Sequence, residues 1–162
     1  MVILGIDPGS TRVGYGLIEK DRDGLKLLGS GLLKITSQDK GQRLLELEKS
    51  FSRLLQKSKP DLVVLEKLYF MKNLKTALEV AQSRGILTLL VVKSKVPLLE
   101  YTPLEIKQSI TGYGRADKKA IIVSISRILK IKRFKGGDDA ADAIAGALMG
   151  LNYPLALKLG RG

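Results

Sequence analysis

Two acidic residues directly follow short apolar segments, a position from which a carboxylate can do chemistry. Asp7 comes after Val2–Ile6, and Glu66 ends the segment that begins with Leu62–Leu65. Short segments that are apolar on both faces are typical of central strands, and open α/β sheets bind ligands beyond the carboxyl ends of their strands. Either acid alone would more simply begin a polar loop. If the two strands are parallel neighbours, both carboxylates point into one crevice, and the pair favours a functional site.

Three further acids, Asp138, Asp139 and Asp142, lie close together near the other end of the chain. On a helix Asp139 and Asp142 share a face, and one of the three is expected to cap the helix N-terminus. Acids this close repel one another, and a divalent cation would relieve the repulsion. The oxygen ligands of Asp7, Glu66, Asp139 and Asp142 suit Mg²⁺ or Mn²⁺, and two such ions about 3.5–4 Å apart can clamp an in-line phosphoryl displacement.

The composition excludes several other kinds of chemistry. The 162 residues include neither histidine nor cysteine, so a disulfide framework, a thiol nucleophile, a thiolate zinc site and a Ser-His-Asp triad are all ruled out. An all-carboxylate metal site survives, as does acid–base chemistry by lysine or tyrosine. The length suits one domain with a real core.

The charge balance indicates the kind of partner. With 28 Lys and Arg against 16 Asp and Glu, the net charge is +12, which favours nucleic acid or, less specifically, an anionic membrane. The longest apolar stretch, Gly85–Val92, is far shorter than the ~20 residues of a spanning helix, and the N-terminus lacks the features of a signal peptide. We therefore expect a cytoplasmic protein that does not enter a membrane. Seven basic residues and no acid occur between Lys118 and Gly137: Lys118, Lys119, Arg127, Lys130, Lys132, Arg133 and Lys135.

The first half of the chain changes from a strand pattern to a helical one. Strands are predicted at Val2–Ile6, Val13–Ile18 and Leu25–Ile35, and the short turns between them imply an antiparallel meander. Apolar residues at helical spacing then predict an amphipathic helix at Gln42–Lys57, followed by the second buried strand, at Leu62–Leu65.

A long apolar helix is predicted at Leu74–Val92. Its second half, Ile86–Val92, is apolar nearly all round, and its β-branched residues would also allow a strand. A helix that is apolar on every side must be buried on every side, so we expect a partner subunit to cover it. The remaining predicted elements are a strand at Val96–Tyr101, a helix from the capping box Thr102–Glu105 to Ile110, a tight loop at Gly112–Gly114, a helix capped by Asp117 that runs to Ile131, and a last helix at Asp139–Leu151.

These elements predict an α/β fold with a mixed sheet covered by helices on both faces. We expect a single domain at 1–155 and a short basic C-terminal tail at 156–162.

The acidic motifs together resemble those of the RuvC family of Holliday junction endonucleases. The resemblance rests on Gly-Ile-Asp7-Pro-Gly, on Glu66 after an apolar strand and on Asp139-Ala-Ala-Asp142-Ala, and it extends over nearly the whole chain. It implies a ribonuclease H-like five-stranded sheet, with three antiparallel strands followed by parallel ones. It also implies a homodimer, two Mg²⁺ per active site with Mn²⁺ as an alternative, and paired symmetrical nicks across a four-way DNA junction in recombination and repair. A branch-migration motor complex is a further implied partner.

The resemblance also implies roles for single residues. The catalytic and metal-binding carboxylates would be Asp7, Glu66, Asp139 and Asp142, although Asp138 directly precedes the expected ligand and the choice between it and Asp139 stays open. Lys67 departs from the family pattern, which has Gln after the catalytic Glu. The Gly112–Gly114 loop resembles helical hairpins whose free amides meet phosphate. The implied DNA-binding residues are Tyr69 and Phe70, which would stack on bases at the junction centre, and Lys72, Lys107, Lys118 and Lys119.

Three other functions fit parts of the sequence. One is a ribonuclease H-like nuclease that processes RNA, although such relatives are typically shorter and lack elaborations like the helix at Leu74–Val92. Another is a fragment of a sugar kinase or chaperone-type ATPase, which also opens with Gly-x-Asp-x-Gly but needs two such domains. A third, a non-catalytic junction-binding protein, would be favoured if a metal carboxylate were missing, and none is.

Overall fold

The computed structural model of the chain describes residues 1–67 and 74–153. Among the helices in these ranges, none is long and apolar enough to cross a membrane. In chain order the elements are β1 (Val2–Asp7), β2 (Gly14–Asp21), β3 (Gly24–Leu32), α1 (Lys40–Ser58), β4 (Leu62–Glu66), α2 (Leu74–Lys93), β5 (Leu98–Tyr101), α3 (Pro103–Thr111), α4 (Lys118–Leu129), α5 (Gly137–Met149) and a 3₁₀ turn (Gly150–Asn152).

The strands form one mixed sheet in the order β3-β2-β1-β4-β5. Strands β1, β2 and β3 pair antiparallel, as the short turns predicted. Strand β4 pairs parallel with β1 on one side and with β5 on the other. The two most apolar strands, β1 and β4, are therefore neighbours at the centre of the sheet.

Helices cover both faces of this sheet, because alternate residues of its central strands point to opposite sides. Ile3 and Val64 pack against the layer formed by α3, α4 and α5. Leu4 and Val63 pack against the layer formed by α1 and α2. The predicted arrangement of a mixed sheet between two helical layers is confirmed.

Several observed boundaries differ from the predicted ones, among them those of β5, α4 and β3. Strand β5 begins at Leu98 rather than Val96, after a turn in which Lys95 has φ 56°. Helix α4 ends at Leu129 rather than Ile131, because Lys130 adopts the left-handed conformation with φ 53° and caps the helix. Strand β3 ends at Leu32 rather than Ile35. The predicted capping box at Thr102 and the Asp117 cap are both present.

The long helix α2 is helical throughout, which settles the choice between helix and strand for Ile86–Val92. Leu87 and Val91 are buried against the sheet. Leu78, Leu89 and Val92 on the same helix are 70%, 52% and 62% exposed. This chain therefore covers one side of an apolar helix and leaves the other side open.

Candidate active site

The two strand-end acids lie side by side. Ile6 of β1 pairs with Leu65 of β4 in the parallel ladder, so Asp7 and Glu66 are the next residues on each strand. Asp7 lies four residues after Ile3 on β1, and Glu66 lies two residues after Val64 on β4. Because residues at even spacing on a strand point to the same face, both acids face the layer of α3, α4 and α5. The two carboxylates therefore share one face of the sheet, as predicted for parallel neighbours.

Close packing of α5 on the sheet brings two further acids to the same edge. A Cβ atom at Gly14 would lie 2.1 Å from the backbone oxygen of Asp139, and one at Gly5 would lie 1.9 Å from that of Ala143. Gly14 itself pairs with Asp7 across the β1–β2 ladder. The absence of side chains at these glycines lets the helix approach the strands closely enough to bring Asp139 next to Asp7.

None of the acids at the start of α5 caps the helix, contrary to the sequence prediction. The N-cap residue is Gly136, which has φ 102° and no side-chain cap bond. A Cβ atom at Gly136 would lie 2.6 Å from the Cα atom of Gly31 in β3, so a larger capping residue does not fit there. The carboxylates of α5 are consequently not engaged in capping.

Burial and mutual repulsion dominate the electrostatics of the cluster. Burial raises the pKa of Asp7 well above its usual range, and repulsion from Glu66, Asp142 and Asp139 raises it further. Burial also raises the pKa of Glu66 to about 7, with repulsion from Asp142 as the next cause. The pKa of Asp142 is raised too, again mainly by burial. These carboxylates are close enough to affect one another's protonation.

Two lysines oppose these pKa shifts. Lys118, at the start of α4, lowers the pKa of Asp7, Glu66 and Asp142. Lys107, on α3, lowers the pKa of Glu66 and Asp142. Burial lowers the pKa of Lys118 itself, but its bond to Asp138 and its attraction to Asp142 outweigh burial, and the net pKa is raised.

The structure separates the roles of the two adjacent acids, Asp138 and Asp139. Asp138 is 56% exposed, and its Oδ2 atom lies 3.2 Å from the Nζ atom of Lys118. Asp139 is 27% exposed, and its Oδ2 atom lies 2.8 Å from the Nε atom of Arg12. That oxygen is buried but accepts no hydrogen bond, because the Nε–H of Arg12 is not directed at it. Asp139 is therefore the better candidate ligand.

The donor set fits a hard divalent cation in chemistry, although its side chains do not yet have the spacing for one. Asp7, Glu66, Asp139 and Asp142 supply carboxylate oxygens, the ligands that Mg²⁺ and Mn²⁺ prefer. The buried, unbonded Oδ2 atom of Asp139 is the kind of polar atom that needs such a partner. Within residues 1–67 and 74–153, no three acidic side chains are already spaced to hold one ion.

The predicted DNA-binding residues fall into two groups. Lys107 and Lys118 lie close enough to the carboxylate cluster to lower the pKa of Glu66, and Lys119 is exposed on the first turn of α4. Tyr69, Phe70 and Lys72 lie outside the described residues.

The loop between α3 and α4 does not offer the free amides that the sequence predicted. The amide of Gly112 donates to the backbone oxygen of Gln108, that of Tyr113 to Oγ1 of Thr111, and that of Gly114 to Oε1 of Gln108. These three amides are therefore already bonded within the loop. Tyr113 is 61% exposed at its tip.

Two residues beside the site change the sequence-based interpretation. Lys67, which departs from the family pattern, lowers the pKa of Glu105 at the start of α3 and is not among the charges that shift the pKa of Glu66.

Arg12 was not singled out from the sequence. Its signal is a lone basic residue in the short loop of small residues after Asp7.

A mixed sheet of this order, with acids at the ends of two central strands and on a helix packed across them, defines a ribonuclease H-like nuclease. A family model described as crossover junction endodeoxyribonuclease RuvC matches residues 3–150. The chain is 42% identical over 159 residues to the enzyme of that name from Petrotoga mobilis, with 98% of each covered. The chain therefore belongs to the RuvC family of crossover junction endodeoxyribonucleases. The resemblance seen in the sequence is confirmed.

Two other relatives support this assignment. The RuvC of Prochlorococcus marinus is 43% identical over 153 residues, with 93% of this chain and 98% of that protein covered. A solved structure of Thermus thermophilus RuvC in complex with Holliday junction substrate has a TM-score of 0.85 and 28% sequence identity, with 94% of both chains covered.

Proposed function

We propose that this endonuclease resolves four-way DNA junctions by paired symmetrical nicks, using divalent metal bound by Asp7, Glu66, Asp139 and Asp142. Mg²⁺ is the preferred ion and Mn²⁺ the alternative, with two ions per site. The observation that carries the proposal is the convergence of buried acids from β1, β4 and α5 at one sheet edge beside Lys107 and Lys118. The junction complex of the Thermus thermophilus relative supports the choice of substrate.

Bound metal would supply the positive charge that activates water and stabilises the leaving oxygen in phosphodiester hydrolysis. The chain itself supplies the buried carboxylates, whose repulsion makes cation binding favourable. Lys107 and Lys118 favour the ionised, ligand-competent form of those acids. Their ammonium groups are also placed to attract a DNA phosphate towards a site that would otherwise repel it. Tyr69, Phe70, Lys72 and Lys119 stay proposed contacts to the junction DNA.

We propose that the active form is a homodimer joined through the open side of α2. Leu78, Leu89 and Val92 form an exposed apolar surface on that helix, as the sequence pattern predicted for a helix needing a partner. Two subunits would provide the two sites that paired nicks require.

A branch-migration motor complex and a cytoplasmic location remain part of the proposal. The domain limits 1–155 and the tail 156–162 remain predictions.

The decisive experiment compares wild-type protein with Asp7→Asn on a synthetic four-way junction, a linear duplex and an RNA–DNA hybrid. Wild type should cut the junction with Mg²⁺ and leave the other two substrates largely intact. The variant loses one ligand charge, so cleavage should fall by about two orders of magnitude or more while junction binding persists. The matched control is Asp21→Asn, at the far end of β2, and this variant should cut normally.

Three outcomes would contradict the proposal. Wild-type cleavage rates in Asp7→Asn would refute the metal assignment. Preferential cutting of the hybrid would favour an RNA-processing nuclease. Junction binding with no cleavage by the wild type in either metal would favour a non-catalytic junction-binding protein.

A further inference from the structure

One basic side chain contacts the carboxylate cluster directly. Among residues 1–67 and 74–153, ion pairs join Asp7, Glu66 and Asp142 to no basic group, whereas Asp139 pairs with Arg12 at 2.8 Å. Lys107 and Lys118 influence the other three acids from a greater distance. Arg12 thus pairs with Oδ2 of Asp139, a buried oxygen that accepts no directed hydrogen bond.

The backbone places Arg12 at this point. A Cβ atom at Gly9 would lie 2.0 Å from the backbone oxygen of Arg12, so the loop after β1 can turn this tightly because residue 9 is glycine. Two residues beyond Arg12, Gly14 packs against the backbone oxygen of Asp139. The loop is therefore held in a tight turn on one side of Arg12 and against the start of α5 on the other.

The contact also occupies one of the two oxygens with which Asp139 could bind a metal. A divalent ion such as Mg²⁺ binds a carboxylate oxygen at about 2.0–2.1 Å. The Nε atom of Arg12 already lies 2.8 Å from Oδ2 of Asp139, and a guanidinium and a metal cation cannot share that oxygen without strong repulsion. The Arg12 side chain is 62% exposed and holds the oxygen without a directed hydrogen bond, so it can move away at small cost.

We propose that Arg12 is a latch that occupies Asp139 in the metal-free protein and must release it before the metal site can form. The Arg12 guanidinium partly neutralises Asp139 until a divalent cation displaces it. This inference rests on the proposed metal site, and it makes Arg12 a positioning residue that lowers metal affinity.

The test is a Mn²⁺ titration of the protein without DNA, followed by the electron paramagnetic resonance signal of free Mn²⁺. Arg12→Gln removes the competing charge, so Mn²⁺ affinity should rise by roughly two- to fivefold, the range expected for one exposed ion pair. Arg12→Lys keeps a cation and should stay closer to wild type. Arg53→Gln, which removes an exposed charge from α1 on the opposite face of the sheet, should leave affinity unchanged.

A second pair of variants separates the latch from a general charge effect. In the background of Asp139→Asn, the further change Arg12→Gln should no longer alter Mn²⁺ affinity, because the pair is already broken. The gain from Arg12→Gln should also shrink in about 1 M salt, which screens exposed charges.

Each contrary result has a distinct meaning. An unchanged or weaker Mn²⁺ affinity in Arg12→Gln would overturn the latch. So would an equal gain in the Asp139→Asn background. If wild-type protein binds no Mn²⁺ at all, the proposed metal site itself fails, which is a different result from a failure of Arg12 to compete.

Discussion

Replacing Glu66 by Gln should stabilise the metal-free protein above neutral pH. The pKa of this carboxyl is raised from 4.5 to about 7, first by burial and then by repulsion from Asp142. A raised pKa means that the native state binds more protons than the unfolded state, so the stability it provides is complete below about pH 4.5 and is lost as pH rises through about 7. Glutamine has the same shape and no charge, and it removes that loss.

The magnitude follows from the two pKa values. Each pKa unit corresponds to about 1.4 kcal/mol, so the rise from 4.5 to about 7 corresponds to at most about 3.5 kcal/mol at high pH. Part of this energy is shared with Asp7 and Asp142, whose own repulsion changes when Glu66 becomes neutral. A gain of roughly 1–3 kcal/mol in the free energy of unfolding is therefore expected for Glu66→Gln at about pH 8.

The assay is urea unfolding, followed by circular dichroism, with a chelator present at about pH 5 and about pH 8. Wild-type protein should be less stable at the higher pH, and the variant should show a flatter dependence. The acids with lowered pKa, Glu46, Glu79 and Glu105, lose their contribution below their unfolded value of 4.5, which is outside this range. Glu19→Gln, at the other end of the β1–β2 ladder from Asp7, is the control and should change little.

Adding Mg²⁺ should narrow the difference between the two proteins and reverse it when Mg²⁺ is far above Kd, since the stabilisation reaches about 4 kcal/mol at roughly a thousand times Kd. Metal that binds only the native state stabilises it, by about 1.4 kcal/mol at roughly ten times Kd, and the variant lacks a ligand charge. The reasoning would be refuted if Glu66→Gln destabilised the chelated protein at pH 8, or if wild-type stability rose between pH 5 and 8. Either result would mean that Glu66 is not held in a desolvated, repulsive cluster.

Two further changes test the packing and the assembly. Gly14→Ala places a Cβ atom 2.1 Å from the backbone oxygen of Asp139, so unfolding measurements should show a loss of about 1–3 kcal/mol and Mn²⁺ binding should weaken. Gly29→Ala in β3 meets nothing within 4 Å and is the control. Leu89→Asp on α2 should shift sedimentation towards monomer without weakening Mn²⁺ binding, whereas Leu28→Asp, similarly exposed on β3, should not. A wild-type monomer at micromolar concentration would contradict the proposed dimer.

Sequence patterns predicted the parts of the fold that depend on local physics. The apolar segments at β1 and β4 had to be central strands, because both of their faces needed burial. The capping box at Thr102 and the cap at Asp117 follow from side chains that bond nearby amides, and both are present. Because the acids follow two strands and begin one helix, the sequence alone could place them at a common edge.

The parts that failed depend on contacts between residues distant in the chain. The start of α5 could not be predicted because Gly136 is required by its packing on Gly31 of β3, more than a hundred positions earlier. The amides of the α3–α4 loop are a local exception: Gln108 accepts from the amide of Gly112 with its backbone oxygen and from that of Gly114 with its side-chain oxygen. Arg12 gained its role from the close approach of α5 to the β1–β2 loop, which no local pattern records.

The uneven distribution of charge explains how a protein of net charge +12 can contain an acidic site. Burial raises the pKa of Glu66 and Asp142 and so disfavours their ionised forms, while Lys107 and Lys118 push the same pKa values down. Neither effect alone gives a useful metal site, because protonated acids bind no cation, and fully neutralised acids have little need of one. Partial neutralisation by distant lysines, with Arg12 held on one acid, leaves a negative charge that a divalent ion can still compensate. The surrounding basic surface can then attract phosphate without occupying the metal ligands.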